Sequence, residues 1–186
     1  MEDNAIIALY FARDEAAIQE TQSKYGRYLS KIARNILAAE QDVEESLNDT
    51  YLKTWNSIPP NRPERLQLYL GKITRELSID IYRKNHAEKR GGSSYAVSLD
   101  ELNDCIAGAR SIEDEVGAKE LGGLISRYLR TLSEEKRDVF VCRYYHCDPV
   151  ADICRNFNMT ESKVKNMLLR IRAGLKDYLE AEGYAV

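Results

Sequence analysis

Proline and glycine are scarce in this chain, 4 and 10 among 186 residues, and the apolar residues recur at helical intervals almost throughout. An all-α protein is therefore expected. No apolar run approaches the roughly 20 residues that a membrane-spanning helix requires, so membrane insertion is not expected. The opening Met1-Glu2-Asp3-Asn4 has neither the basic residues nor the apolar stretch of a secretory signal, and the cytoplasm is the expected location. Cys105, Cys142, Cys147 and Cys154 form no C-x-x-C pair, and His146 beside Cys147 does not complete a tetrahedral site. Neither a metal nor a cofactor is expected. A phosphate-binding glycine loop, a nucleophile motif and a plausible pair of catalytic carboxylates are also missing, so the protein is not expected to be an enzyme.

A surplus of positive charge is lacking too. The formal net charge is −3 and the pI about 5.6, which argues against a protein that grips nucleic acid unaided through a general basic field. Charge is instead segregated along the chain. Glu40, Asp42, Glu44, Glu45 and Asp49 follow one another with no cation between them. From Arg62 to Arg90 the cations Arg62, Arg65, Lys72, Arg75, Arg83, Lys84, Lys89 and Arg90 outnumber Glu64, Glu76, Asp80 and Glu88, and from Asp100 to Glu120 acids prevail again. Such alternation implies different partners for different surfaces.

Two helical lobes emerge from the apolar pattern. In the first, Tyr25, Tyr28, Leu29, Ile32, Ala33 and Ile36 trace one stripe, and Val43, Leu47, Tyr51 and Trp55 trace another at intervals of four. The segment Ser57-Ile58-Pro59-Pro60-Asn61-Arg62-Pro63 cannot continue a helix, because each proline removes a backbone donor and restricts the residue before it. Leu66, Tyr69, Leu70, Ile73, Leu77 and Ile81 then form the buried stripe of a third helix, with Lys72, Arg75, Glu76, Ile79 and Arg83 on its opposite face. Weaker periodicity in Ile6, Ile7, Leu9, Tyr10 and Ala17 adds a helix or two at the N-terminus. Gly91-Gly92-Ser93-Ser94 opens a flexible acidic linker, with room for a short helix, and the expected divisions are 1–90, 91–118 and 119–182.

The second lobe begins with Leu121, Leu124, Ile125, Tyr128, Leu129 and Leu132, and Ser133 caps a helix with Val139, Phe140 and Tyr144 on its inner face. Two short helical patterns follow, sharing the turn Phe157-Asn158-Met159-Thr160. Asp148 can cap the first, with Pro149 at its first position, and Thr160 can cap the second. Val164, Leu168, Ile171, Leu175 and Tyr178 give that second helix a single buried stripe. Its other side carries Ser162, Lys163, Asn166 and Arg170, flanked by Lys165, Arg172 and Lys176. Cationic and hydrogen-bonding side chains on one face suit phosphates and major-groove base edges, the layout of a DNA-reading helix-turn-helix.

Several runs, in their order, resemble the small alternative sigma factors of bacterial RNA polymerase, the extracytoplasmic-function group of the sigma-70 superfamily. Asp42-Val43-Glu44-Glu45-Ser46-Leu47-Asn48-Asp49-Thr50-Tyr51-Leu52-Lys53-Thr54-Trp55 resembles the group's polymerase-binding helix. Tyr69 to Lys84 is similar to its helix that opens and reads the melted region. Leu132 to Phe140 and Arg143-Tyr144-Tyr145 resemble the run before its promoter-binding helix-turn-helix. The resemblance implies a region 2-like domain over 1–90 and a region 4-like domain over 119–182. Its implied partners are core RNA polymerase, promoter DNA and an anti-sigma factor. By the same resemblance Asp42, Glu45, Asn48 and Asp49 would bind polymerase, and Lys72, Arg75, Glu76, Ile79, Arg83 and Lys84 the −10 element. Ser162, Lys163, Lys165, Asn166, Arg170 and Arg172 would meet the −35 element, and the loop Ser57 to Arg65 would hold a flipped base.

Two positions depart from the group's pattern. Glu76 stands where an asparagine is usual, and an acid there repels phosphate and favours a base amino group. Met167 stands where an arginine is common, so one expected DNA contact is absent. Two other functions remain compatible with the residues alone: a stand-alone helix-turn-helix regulator, and a sigma-like adaptor that binds only protein.

Overall fold

The structure, a computed structural model, describes residues 1–85, 94–106 and 115–184. The described residues are helical, with no strand among them: α1 (Asp3–Phe11), α2 (Ala16–Ile36), α3 (Glu40–Ser57), α4 (Leu66–Asn85), α5 (Ser94–Ile106), α6 (Glu115–Thr131), α7 (Glu134–Tyr144), α8 (Val150–Phe157) and α9 (Glu161–Ala181). They form two compact units, Met1–Ser93 and Ser94–Val186.

In the first unit α2, α3 and α4 pack against one another and α1 lies on α2. The expected stripes supply the core: Ile6, Ile7, Tyr10, Leu29, Leu66 and Leu70 are all sealed from solvent, together with Ile58 from the proline loop. The seam between α3 and α4 is different. It is built from buried hydroxyls, with Ser46 Oγ 2.8 Å from Ser78 Oγ and Thr50 Oγ1 3.1 Å from Thr74 Oγ1. Thr50 and Thr74 also reach the backbone carbonyls of Ser46 and Leu70, at 2.7 and 3.0 Å. Small side chains let two helices approach closely, and every hydroxyl here has a partner, so burying them carries little desolvation penalty. Gly71 serves the same closeness on the α2 side: a Cβ there would stand 2.6 Å from Tyr28 Oη.

The second unit is organised by α9, which packs against α5, α6, α7 and α8. Val164, Leu168, Ile171, Leu175 and Leu179 are buried along it, against Tyr128, Val139, Phe140 and Ile153. Leu179 takes the innermost place at the last turn and leaves Tyr178 half-buried. Tyr128 Oη donates to the Ile171 carbonyl at 3.0 Å, over Gly174. Asn158 adopts the left-handed conformation at φ 50° and ends α8. Thr160 then starts α9 by accepting from the Lys163 amide at 3.3 Å, as its type predicts. At the other end of α8 the helix begins at Val150, with Pro149 in the cap position. Asp148 is buried and its carbonyl accepts from Arg143 Nη1 at 3.2 Å.

The expected linker contains more order than its composition suggests. Of 91–118, residues 94–106 form α5, which packs on α7 and α9 in the second unit, 115–118 already belong to α6, and 91–93 and 107–114 lie outside the described residues. Tyr95 and Ser98 are buried and Leu102 leans on the core of that unit. Their spacing is helical, but with so few large apolar residues the stripe is too thin to stand out from sequence.

Candidate nucleic-acid interfaces

The face of α9 opposite its buried stripe is open. Ser162, Lys163, Asn166 and Arg170 are exposed along it, and Asn166 Nδ2 lies 3.4 Å from Ser162 Oγ, a weak bond that a better acceptor can replace. Lys163, Asn166, Met167 and Arg170 also line one wall of a cleft of about 400 Å³, whose far side holds Leu132 and Lys136. Lys136 was not expected at this site. It belongs to the first turn of α7, and only the packing of α7 beside α9 brings its ammonium to the same cleft.

The flank of α9 is less available than its face. Lys165 is exposed but paired with Glu161 at 2.6 Å, an i, i+4 contact that raises the lysine pKa and lowers that of the acid. Arg172 is turned inward. Its guanidinium hydrogen-bonds Tyr144 Oη and lies 3.5 Å from Glu101 Oε2, and only 20% of its side chain is exposed. It therefore leaves the set of side chains that share the open face, because a carboxylate and a phenol from α5 and α7 offer it better partners than water does.

Glu101 is the centre of that arrangement. Arg143, 4% exposed, grips it with two bonds, Nη2 to Oε1 at 2.9 Å and Nε to Oε2 at 3.2 Å. Tyr144 Oη donates to Oε2 at 3.1 Å. Burial alone would raise the Glu101 pKa, but the bonds from Arg143 and Tyr144 and the charges of Arg143 and Arg172 outweigh it and hold the carboxyl below its ordinary value. Burial pushes the Tyr144 hydroxyl well up.

On α4 the expected basic face is interrupted. Lys72, Arg83 and Lys84 are exposed and Arg75 is half-buried. Ile79 is 8% exposed and does not belong to an open face. An apolar side chain gains about 1.5 to 3 kcal/mol by full burial, whereas its charged neighbours extend to water. Glu76 lies between two lysines, 3.6 Å from Lys53 Nζ and 3.9 Å from Lys72 Nζ. Its negative charge is thus compensated in place.

The acidic residues of α3 divide as well. Glu45, Asn48 and Asp49 are exposed, but Asp42 is half-buried and accepts from Asn85 Nδ2 at 2.9 Å. Beside Asn48, Leu52 stands 58% exposed, on the rim of a cleft of about 560 Å³ shared with Ile18, Tyr51 and Trp55. No pattern in the sequence marks this apolar spot, because Leu52 is one residue from the buried Tyr51 in the same helix. The loop after α3 is braced by Tyr69 Oη, which donates to Ser57 Oγ at 2.8 Å. Arg13 donates to the Trp55 carbonyl at 2.6 Å and lies over its ring, and Arg62 lies over Phe11.

Among the described residues no cluster of His, Cys, Asp and Glu could hold a metal ion, and no helix is long and apolar enough to cross a membrane. Residues 22–88 match the family model described as Sigma-70 region 2, and residues 123–175 the one described as Sigma-70, region 4. Together they span more than half of the chain. A solved structure titled "Structure of CnrH in complex with the cytosolic domain of CnrY" is similar over 96% of this chain and 97% of that one, at 20% identity and a TM-score of 0.44. Among curated proteins none matches.

Proposed function

We propose, from the premise that this chain belongs to the sigma-70 family and is an RNA polymerase sigma factor, a division of labour among its surfaces. The exposed acids of α3, Glu45 and Asp49 with Asn48 and Asp42, dock on core polymerase. Lys72, Arg83 and Lys84 of α4, with Arg75 and Glu76, follow the melted strand of the −10 element. Ser162, Lys163, Asn166 and Arg170 of α9, joined by Lys136, engage the −35 element. The protein works in the cytoplasm, where promoter and polymerase meet, as a member of the extracytoplasmic-function group with an anti-sigma partner.

The observation that carries this reading is the open face of α9, where a hydrogen-bonding amide and two cations point away from the core beside a cleft that Lys136 of α7 shares. Arginine can take guanine in a bidentate pair and asparagine can take adenine, while lysine anchors phosphate. A gel shift with and without core polymerase tests the assignment. A selective complex that forms only with polymerase is expected. Tight selective binding by the chain alone would instead indicate a stand-alone regulator, and no DNA complex in either case would indicate an adaptor.

A further inference from the structure

We propose that α5 is a latch, which through Glu101 withholds Arg172 of the DNA-facing helix until duplex DNA competes it away. The helix lies between the two stretches that match sigma-70 regions and docks on α7 and α9 of the second unit. Tyr95, Ser98 and Leu102 seat it, and Glu101 ties it by three side chains, Arg143, Tyr144 and Arg172.

Only one of those three side chains belongs to α9. Arg143 is almost wholly buried and also donates to the Asp148 carbonyl, so it holds the carboxylate in place and has no route to DNA. Arg172 is different: it lies on the flank of α9 with Lys165 and Lys176, one fifth exposed, and its Nη1 is shared between Tyr144 and Glu101. A phosphate reaching that flank would meet a guanidinium already bonded to Tyr144 and 3.5 Å from the Glu101 carboxylate. Charge-assisted bonds of this kind are exchanged one for another, so phosphate and Glu101 compete for Arg172. The carboxylate has the advantage of being tethered at high effective concentration. Reciprocity then follows from linkage: whatever α5 takes from DNA affinity, bound DNA takes from α5 docking.

The test uses the full chain and a fluorescent duplex of random sequence at low ionic strength. Glu101→Gln should raise duplex affinity by roughly fivefold, the low end of ordinary coupling between sites, and make the salt slope steeper by about one, the increment for one added phosphate contact. Asp100→Asn, the same loss of charge on the exposed side of α5, should not match it. Adding Arg172→Ala to Glu101→Gln should cancel the gain. Equal gains from the two α5 variants, no gain from Glu101→Gln, or a gain that survives Arg172→Ala would each overturn the latch. Hydrogen exchange on the wild-type chain gives a second, substitution-free measure: α5 amides should lose protection when the duplex is saturating. Unchanged protection would reduce Glu101 to a clamp that serves folding alone, and if Glu101→Gln loses helical content this result decides. The latch rests on the reading that α9 meets DNA. That reading fails if Lys163→Ala and Arg170→Ala leave duplex binding untouched, whereas the latch fails if they weaken binding and Glu101→Gln does not strengthen it.

Discussion

A methyl group at residue 174 would sit 2.5 Å from Tyr128 Oη, closer than any relaxed contact. The tyrosine would have to move, and in moving would release the Ile171 carbonyl that it holds at 3.0 Å. Gly174→Ala should therefore lower stability by about 1 to 3 kcal/mol, the usual range for overpacking. Gly122 makes the opposite case. It lies exposed in α6 with nothing within 4 Å of an added Cβ, so Gly122→Ala should stabilise by up to about 1 kcal/mol through helix propensity. Thermal melts of the two variants should move in opposite directions, and a shared direction would show that Tyr128 does not set the spacing of α6 and α9. At the same scale the lowered pKa of Glu101 has a definite sign. A depressed carboxyl stabilises the fold above the ordinary glutamate pKa of about 4.3 and loses that contribution as pH falls through its lower folded value. Acid should thus loosen α5 from the second unit, seen as faster amide exchange in α5. In Glu101→Gln this pH dependence should be absent.

At the scale of the helix, the acidic side of α3 has a use only if something basic covers it. Reversing Glu45 and Asp49 to lysine should leave helical content unchanged, because exposed charges contribute little to folding. The same change should weaken assembly with core polymerase, since a matched interface relies on charge for encounter and register. Asp42 belongs in a separate variant, because its bond to Asn85 gives it a local role that the other two lack. A pull-down in which the double reversal binds polymerase as well as wild type would remove this face from the assignment. The periodic stripes of α2, α3, α4 and α9 were legible in sequence because large apolar residues at intervals of three and four have few other meanings. The hydroxyl seam between α3 and α4 was not, since serine and threonine read equally well as surface residues. Nor was the docking of α5, which depends on one carboxylate meeting Arg143, 42 residues further along the chain. On α9 the spacing puts Ser162, Lys163, Asn166 and Arg170 opposite the apolar stripe, where they are exposed, while the turn of Arg172 toward Tyr144 and Glu101 depends on partners from α7 and α5 that no local pattern reveals. Lys136 is hidden for the same reason, because no spacing along the chain relates α7 to the cleft beside α9.

For the whole molecule, the two surfaces proposed to meet DNA belong to separate compact units in a chain of net charge −3. Each surface alone offers few phosphate contacts, and affinity from such contacts falls steeply with salt. The free protein should therefore bind duplex DNA weakly at physiological ionic strength. Core polymerase changes the arithmetic by holding one unit, so that the second contact becomes intramolecular and its effective concentration rises. Within that assembly the residues of α9 should separate by role. Arg170→Ala and Asn166→Ala should relax preference at particular base pairs of the upstream element, each by roughly 1 to 3 kcal/mol. Lys163→Ala and Lys136→Ala should lower affinity for all sequences and flatten the salt dependence by about one unit of slope apiece. Polymerase assembly should survive all four. The measurement is runoff transcription over templates randomised in the upstream element, read as a base profile for each variant. Profiles for Arg170→Ala and Asn166→Ala that match wild type would mean that α9 holds the promoter without reading it, and selectivity would then have to arise on α4.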